Sequence, residues 1–136
     1  MTDCPFCAIV AGDEPAAIVY EDEVAIGFLD RRPATRGHTL VVPKEHHEDL
    51  FTAADELTNA IDRAVCAIAE RLAATLEPIG FSTFYTTGSL VGTIEHAHVH
   101  VVPRYEDDGV SISLPRSSLT DGPELAESIR AAGSRE

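Results

Sequence analysis

The sequence predicts an α+β fold: an antiparallel sheet with one long helix packed on one face, then a C-terminal tail. Three observations predict it. Leu57, Ile61, Val65, Ile68, Leu72 and Leu76 recur at spacings of 4, 4, 3, 4 and 4, an apolar stripe along one helical face. Strand-like runs lie in series on both sides of that helix. Only one long helix stands between these strands, as in an antiparallel sheet covered on one face by that helix.

Taken in order, Cys4 to Ala11 reads as a turn or helical entry with Phe6 and Ile9 as its apolar contacts. Residues 18–20 and 24–29 are strand candidates joined at Glu21, Asp22 and Glu23, a predicted hairpin turn. Residues 39–42 form a short β-branched strand that Pro43 should stop. Thr52 and Asp55 have the spacing of a capping box for the long helix, and Pro78 closes it. Cys66 falls beside the apolar stripe and is expected to be a small packing residue. Residues 81–87 and 96–102 alternate as two further strands, the second ending at Pro103. The domain is expected to span 1–110. In the tail, 111–136, an edge strand through Val110, Ile112 and Leu114 and a short helix opened by Asp121 and Pro123 and ended by Gly133 are expected. That tail is expected to pack on the domain or on a dimer partner.

Composition narrows the function. The chain has 136 residues, enough for one domain that buries roughly two-thirds of its surface without covalent staples. Its three cysteines, Cys4, Cys7 and Cys66, do not make a disulfide framework. No basic n-region, signal-like run or 18-residue apolar window occurs, so a cytoplasmic protein without membrane association is expected. Twenty-three acidic residues oppose ten basic ones, a net charge of −13, which disfavours nucleic acid as a partner. Nine of the ten are Arg, with Lys44 the lone Lys, a balance that suggests a halophilic setting in which salt screens self-repulsion. The cations available to an anionic substrate are therefore few, chiefly Arg31, Arg36, Arg104 and Lys44.

His96, His98 and His100 alternate with Ala97, Val99 and Val101, so a strand would put the histidines on one face and the small apolar residues in the core. At about 3.3 Å per residue His96 and His100 would lie roughly 13 Å apart, too far to share one metal ion. The histidines should therefore divide their work. Cys4-Pro5-Phe6-Cys7 is half of a four-ligand zinc site, and His46 and His96 are the candidates to complete it, with His47 the neighbouring competitor to His46. A redox motif has the same spacing, but wants a strand before it and a helix after.

The pattern resembles the histidine-triad (HIT) family, whose signature alternates three histidines with apolar residues before two more apolar positions. The resemblance covers about residues 4–106. It rests on Cys4-Pro5-Phe6-Cys7, Phe28-Leu29-Asp30, the run from Gly37-His38 to Pro43-Lys44-Glu45-His46, and the triad followed by Pro103-Arg104. It implies a HIT-like fold, a nucleotide substrate, and attack by His98 on the α-phosphorus to give a nucleotidyl-histidine. It further implies that His100 hydrogen-bonds the phosphate, that His38 supports the triad, and that Thr93 sits near the leaving group. Asp30 would accept from the ribose hydroxyls; Phe6, Ile9 and Phe28 would wall the base, with Arg31 counted among the substrate-binding residues. A structural zinc on Cys4, Cys7, His46 and His96 is implied, as is a homodimer through residues 81–87 and the long helix. Relatives that transfer the nucleotide to a sugar phosphate carry Gln at the third triad position, so His100 favours hydrolysis of a phosphoramidate, an acyl-nucleotide or a dinucleoside polyphosphate. A non-catalytic nucleotide-binding module is the alternative. Two stretches depart from the family pattern. Thr86-Thr87-Gly88 replaces Asn-x-Gly, and Gly92-Thr93-Ile94-Glu95 replaces Gly-Gln-(Ser/Thr)-Val.

Overall fold

The computed structural model describes residues 4–88 and 94–133. A short helix of about two turns, α1 (Pro5–Ala11), leads into the hairpin β1 (Ile18–Glu21) and β2 (Ala25–Leu29). Then come β3 (Thr39–Pro43), the long helix α2 (Asp55–Leu76), β4 (Gly80–Phe84), β5 (Val99–Arg104) and a C-terminal helix α3 (Gly122–Ala132). The five strands form one sheet in the order β1-β2-β3-β5-β4, and every neighbouring pair is antiparallel.

Strand alternation divides the core in two. Ala25, Val41 and Val101 face α2 and pack with Leu57, Ile61, Ala64, Ile68 and Leu72. Ile26, Phe28, Leu40 and Val42 face the other way, where Phe6 of α1 covers them. Gly27 lies directly beneath the end of the Ile68 side chain, where a Cβ would collide, so glycine lets the helix settle on the sheet. His100 pairs with Leu40 across β3 and β5, placing it on the α1 side. The sheet face opposite the long helix is therefore the functional face.

Several sequence expectations need correction. Ala54, not Thr52, precedes the first turn of α2, without a side-chain cap. The Thr52 hydroxyl instead lies 3.3 Å from Asp49 Oδ1, so Asp49 organises the loop and the capping box does not form. Cys66 is exposed, because it falls on the flank where the apolar stripe has already turned away. Pro43 does not stop β3 before itself; it pairs with Ala25, while Lys44 N–H continues the ladder to the Val24 carbonyl. At the helix's other end Glu77 takes a left-handed conformation (φ 51°), and Pro78 follows. Strand β4 ends at Phe84, three residues short of expectation. Strand β5 begins only at Val99, since the chain bends at His96. Val110, Ile112 and Leu114 lie outside any strand, and Ile112 and Leu114 are exposed. Helix α3 forms as expected, with no buried residue. None of the described helices is long and apolar enough to cross a membrane.

Candidate active site and metal centre

Backbone groups set the proton on each key imidazole. His98 Nδ1 lies 2.8 Å from the His96 carbonyl oxygen, an acceptor only, so Nδ1 carries the hydrogen and Nε2 keeps its lone pair. His96 Nε2 is 2.8 Å from the Pro43 carbonyl, so its Nδ1 is the free acceptor atom. The Ala34 backbone N–H donates to His38 Nδ1 at 2.9 Å, which places the His38 hydrogen on Nε2. That Nε2–H points at His100 Nδ1, 2.9 Å away, leaving His100 with its own hydrogen on Nε2. Two hydrogen bonds thus connect a backbone amide, through His38, to His100 and its outward N–H.

Packing holds these rings. Phe84, opposite His100 in the β4–β5 register, stacks on it at 4.4 Å between centroids and 14° between planes. Phe6 meets His98 edge-on at 5.1 Å and Phe28 at 5.6 Å. Burial pushes the His100 imidazolium down to about 4, reinforced by His98 and His38 and opposed by Asp30. Burial likewise lowers His38, against the pull of Asp30. Asp30 Oδ2 is 3.6 Å from His38 Nε2, while its Oδ1 accepts the Arg32 N–H at 2.9 Å. Asp30, His38 and His100 bring three possible metal-ligand atoms together. The Ala34 amide, however, needs His38 Nδ1 as an acceptor, so His38 Nε2 holds a hydrogen and the cluster is a proton-bearing relay.

A cavity of about 710 Å³ opens beside these groups, lined by Phe6, Ile9, Phe28, Asp30, Arg31 and Arg32 together with both His98 and His100. A second, of about 320 Å³, meets the first at His98 and Ile94 and is lined also by Glu48, Asp49, Thr86, Thr87 and Glu95.

The candidate metal ligands gather beside Phe6, which meets the His96 ring edge-on at 5.8 Å. Cys4 is the N-cap of α1 and accepts the Cys7 N–H, so one helical turn brings both sulfurs to one side. Cys4 Sγ lies 3.3 Å and Cys7 Sγ 3.5 Å from His96 Nδ1, and Cys7 Sγ lies 3.3 Å from His46 Nδ1. A tetrahedral zinc with bonds near 2.3 Å to sulfur and about 2.0 Å to nitrogen separates such ligand atoms by roughly 3.5 Å. The four residues therefore fit a metal ion and could hold one. His47 is turned away, 3.0 Å from Glu45 Oε1, which decides between the neighbouring histidines.

The profile of the HIT domain matches residues 11–107. The chain belongs to the HIT family. The "Protein hit" of Bacillus subtilis is 45% identical over 104 residues, which are 76% of this HIT chain and 72% of that protein. An Arabidopsis thaliana relative named adenylylsulfatase HINT3 is 32% identical over 130 residues, 93% of this chain and 66% of the relative. A solved HIT-family structure from B. subtilis superposes with a TM-score of 0.90 at 37% identity, covering 99% of this chain and 100% of the other. A zinc-bound histidine-triad protein from Mycobacterium smegmatis superposes at 0.75 with 40% identity, covering 85% of this chain and 84% of that one.

Of the residues singled out in the sequence, His98, His100, Asp30, Phe28, Phe6, Ile9 and Arg31 line the larger cavity, and His38 is joined to it through its hydrogen bond to His100. Cys4, Cys7, His46 and His96 meet at the metal-ligating set. Thr93 lies outside the described residues. Three of the four expected cations do not reach the cavity. Arg104 is held by Asp108 at 2.8 Å and Lys44 by Glu21 at 2.7 Å, and neither these two nor Arg36 lines the cavity. Arg32 lines the cavity beside Arg31 and escaped notice, as did the Ala34 amide, a backbone group without a sequence signature. Phe84 could have been found: alternation along the strand before the triad puts an aromatic opposite a histidine.

Proposed function

We propose that this HIT protein is a nucleotide-binding hydrolase that cleaves at the α-phosphate of a nucleotide derivative through a nucleotidyl intermediate on His98. The observation that carries the reading is the fixed tautomer of His98. With Nδ1–H engaged by the His96 carbonyl, a neutral Nε2 lone pair is available at the edge of a nucleotide-sized cavity.

The nucleoside fits the larger cavity, with its base against Phe6, Ile9 and Phe28 and its ribose hydroxyls donating to Asp30. His100 donates its Nε2–H to a phosphate oxygen, and the relay through His38 keeps that hydrogen in place. Arg31 and Arg32 supply positive charge at the cavity. Nε2 of His98 attacks phosphorus, the leaving group departs, and water releases the nucleoside monophosphate and restores the imidazole. Zinc on Cys4, Cys7, His46 and His96 would be structural, tying α1 to the triad, because protein atoms fill all four positions. A homodimer through β4 and α2 is part of the same reading.

Intact-protein mass spectrometry after incubation with nucleoside phosphoramidates is the test. A nucleotidyl adduct that maps to His98 and disappears in His98→Ala is expected. Release of nucleoside monophosphate by His98→Ala at more than about a tenth of the wild-type rate would overturn the assignment, since losing a catalytic imidazole costs on the order of 10²–10⁴.

A further inference from the structure

The larger cavity continues past its apolar wall. A side cavity of about 440 Å³ shares Pro5, Ile9, Pro15 and Arg31 with it and adds Glu14. Neither His98 nor His100 lines this side cavity. The backbone fixes both of its charged residues. Asp30 Oδ1 accepts the Arg32 N–H at 2.9 Å, closing a turn around Arg31. Glu14 follows the left-handed Gly12 (φ 84°) that ends α1, and its N–H donates to the Ala8 carbonyl at 3.2 Å. Both residues are exposed. Among the described residues, no side chain forms an ion pair with Arg31 or Glu14. The side cavity therefore presents a forked donor and a two-oxygen acceptor that are not spent on each other. By contrast, Phe6, Ile9 and Phe28 can cover the faces of a base but cannot tell one base from another, since every base has a π-face.

In the pose proposed above, phosphorus lies at His98 and the ribose at Asp30. Arg31 follows Asp30 in the chain, so a base that leaves the ribose away from His98 meets Arg31 and the side cavity. From this juxtaposition we infer that Arg31 and Glu14 read the edge of the base and select guanine. The inference rests on the nucleotide-binding reading of the larger cavity and names the base that this cavity takes. Guanine presents a carbonyl oxygen, O6, beside two donors, N1–H and the 2-amino group. The Arg31 fork donates to O6 and N7, and the Glu14 carboxylate accepts N1–H and the 2-amino group with its two oxygens. Adenine carries an amino group in place of O6 and a bare N1. In the same pose a donor then faces a donor and an acceptor faces an acceptor, so the pair rejects adenine as well as holding guanine.

Calorimetry on the full chain with the 5′-monophosphates of guanosine, inosine and adenosine tests the inference. Affinity should fall in that order, by about tenfold from first to last, the lower range for a bidentate base contact because the site is exposed. Arg31→Lys keeps the charge and loses the fork, so the ratio of guanosine to adenosine affinity should drop to about twofold. Inosine lacks only the 2-amino group, and Glu14→Ala should bring guanosine and inosine to within about twofold of each other. Equal affinities in the wild-type protein, a preference for adenosine, or an unchanged ratio in Arg31→Lys would overturn the inference. Measurable but equal affinities overturn base selection alone and leave the reaction at His98 standing. A protein that prefers guanosine yet forms no adduct at His98 keeps the base selection and loses the hydrolase reading. Failure to bind any of the three overturns both together.

Discussion

The triad strand feeds two histidine clusters that look alike in composition and differ in what holds the rings. At one end, His96 and His46 turn Nδ1 toward two cysteine sulfurs, with separations of 3.3–3.5 Å that leave room for an ion and little else. At the other, His38 and His100 stand nitrogen to nitrogen at 2.9 Å, bridged by a hydrogen that the Ala34 amide fixes in place. The same side chain is placed to ligate a metal in one cluster and to donate a hydrogen bond in the other. The deciding groups are backbone atoms: a carbonyl behind His96, an amide behind His38. His98 lies between them, its Nδ1–H on the His96 carbonyl and its ring 5.1 Å from that of His100.

Separating the two clusters experimentally should give effects of decreasing size. The largest belongs to His98→Ala, expected to cut turnover by at least about a hundredfold while metal content stays at one ion per chain. Activity assays beside elemental analysis would read both, and loss of metal in this variant would mean that the clusters are a single unit. Cys4→Ser should do the opposite. Zinc should be lost and Tm should drop by at least about 5 °C, because a closed structural site contributes folding free energy. Zinc retained at full stoichiometry in Cys4→Ser would remove Cys4 from the ligand set. His38→Ala should lower turnover by about tenfold, the cost of a charge-assisted contact that is loosened but not deleted. It should leave the melting curve of the metal-loaded protein nearer wild type than Cys4→Ser does; kinetics and calorimetry on one preparation compare the two.

A smaller effect separates the clusters by pH. The unfolded chain protonates His100 near pH 6.5, whereas the folded protein resists until about 4, with His98, His38 and Asp30 facing the ring. The folded state then binds fewer protons than the unfolded state, so stability falls as pH drops through that window. Melting curves between pH 7 and 5 should show a slope that is flatter in His100→Gln; equal slopes would remove His100 as its source. The smallest expected effect is general. With a net charge of −13, Tm should rise between dilute and molar KCl. A flat or falling response would mean that the acidic surface is no adaptation to salt.

The periodicities carried much of this structure. Alternation along β5 placed Val99 and Val101 against the core under the long helix with His100 opposite, and the helical spacing of Leu57, Ile61, Ile68 and Leu72 placed them against the sheet. Both follow from residue-to-residue geometry that is the same wherever an element forms. The motif spacing likewise nominated Cys4, Cys7, His46 and His96, since one helical turn brings two cysteines together. Other features depended on neighbours distant in sequence. The bend at His96 starts β5 three residues late, because that ring is drawn to the Pro43 carbonyl and the two sulfurs. Arg104 and Lys44 are unavailable to substrate because Asp108 and Glu21 hold them. The choice of His46 over His47, the protons on His38, His98 and His100, and the meeting of two cavities at His98 were likewise decided by the fold. Residue types fix what a side chain can donate or accept. Only packing decides which partner it meets, and here the partners are mostly backbone groups that every residue shares and no sequence pattern distinguishes.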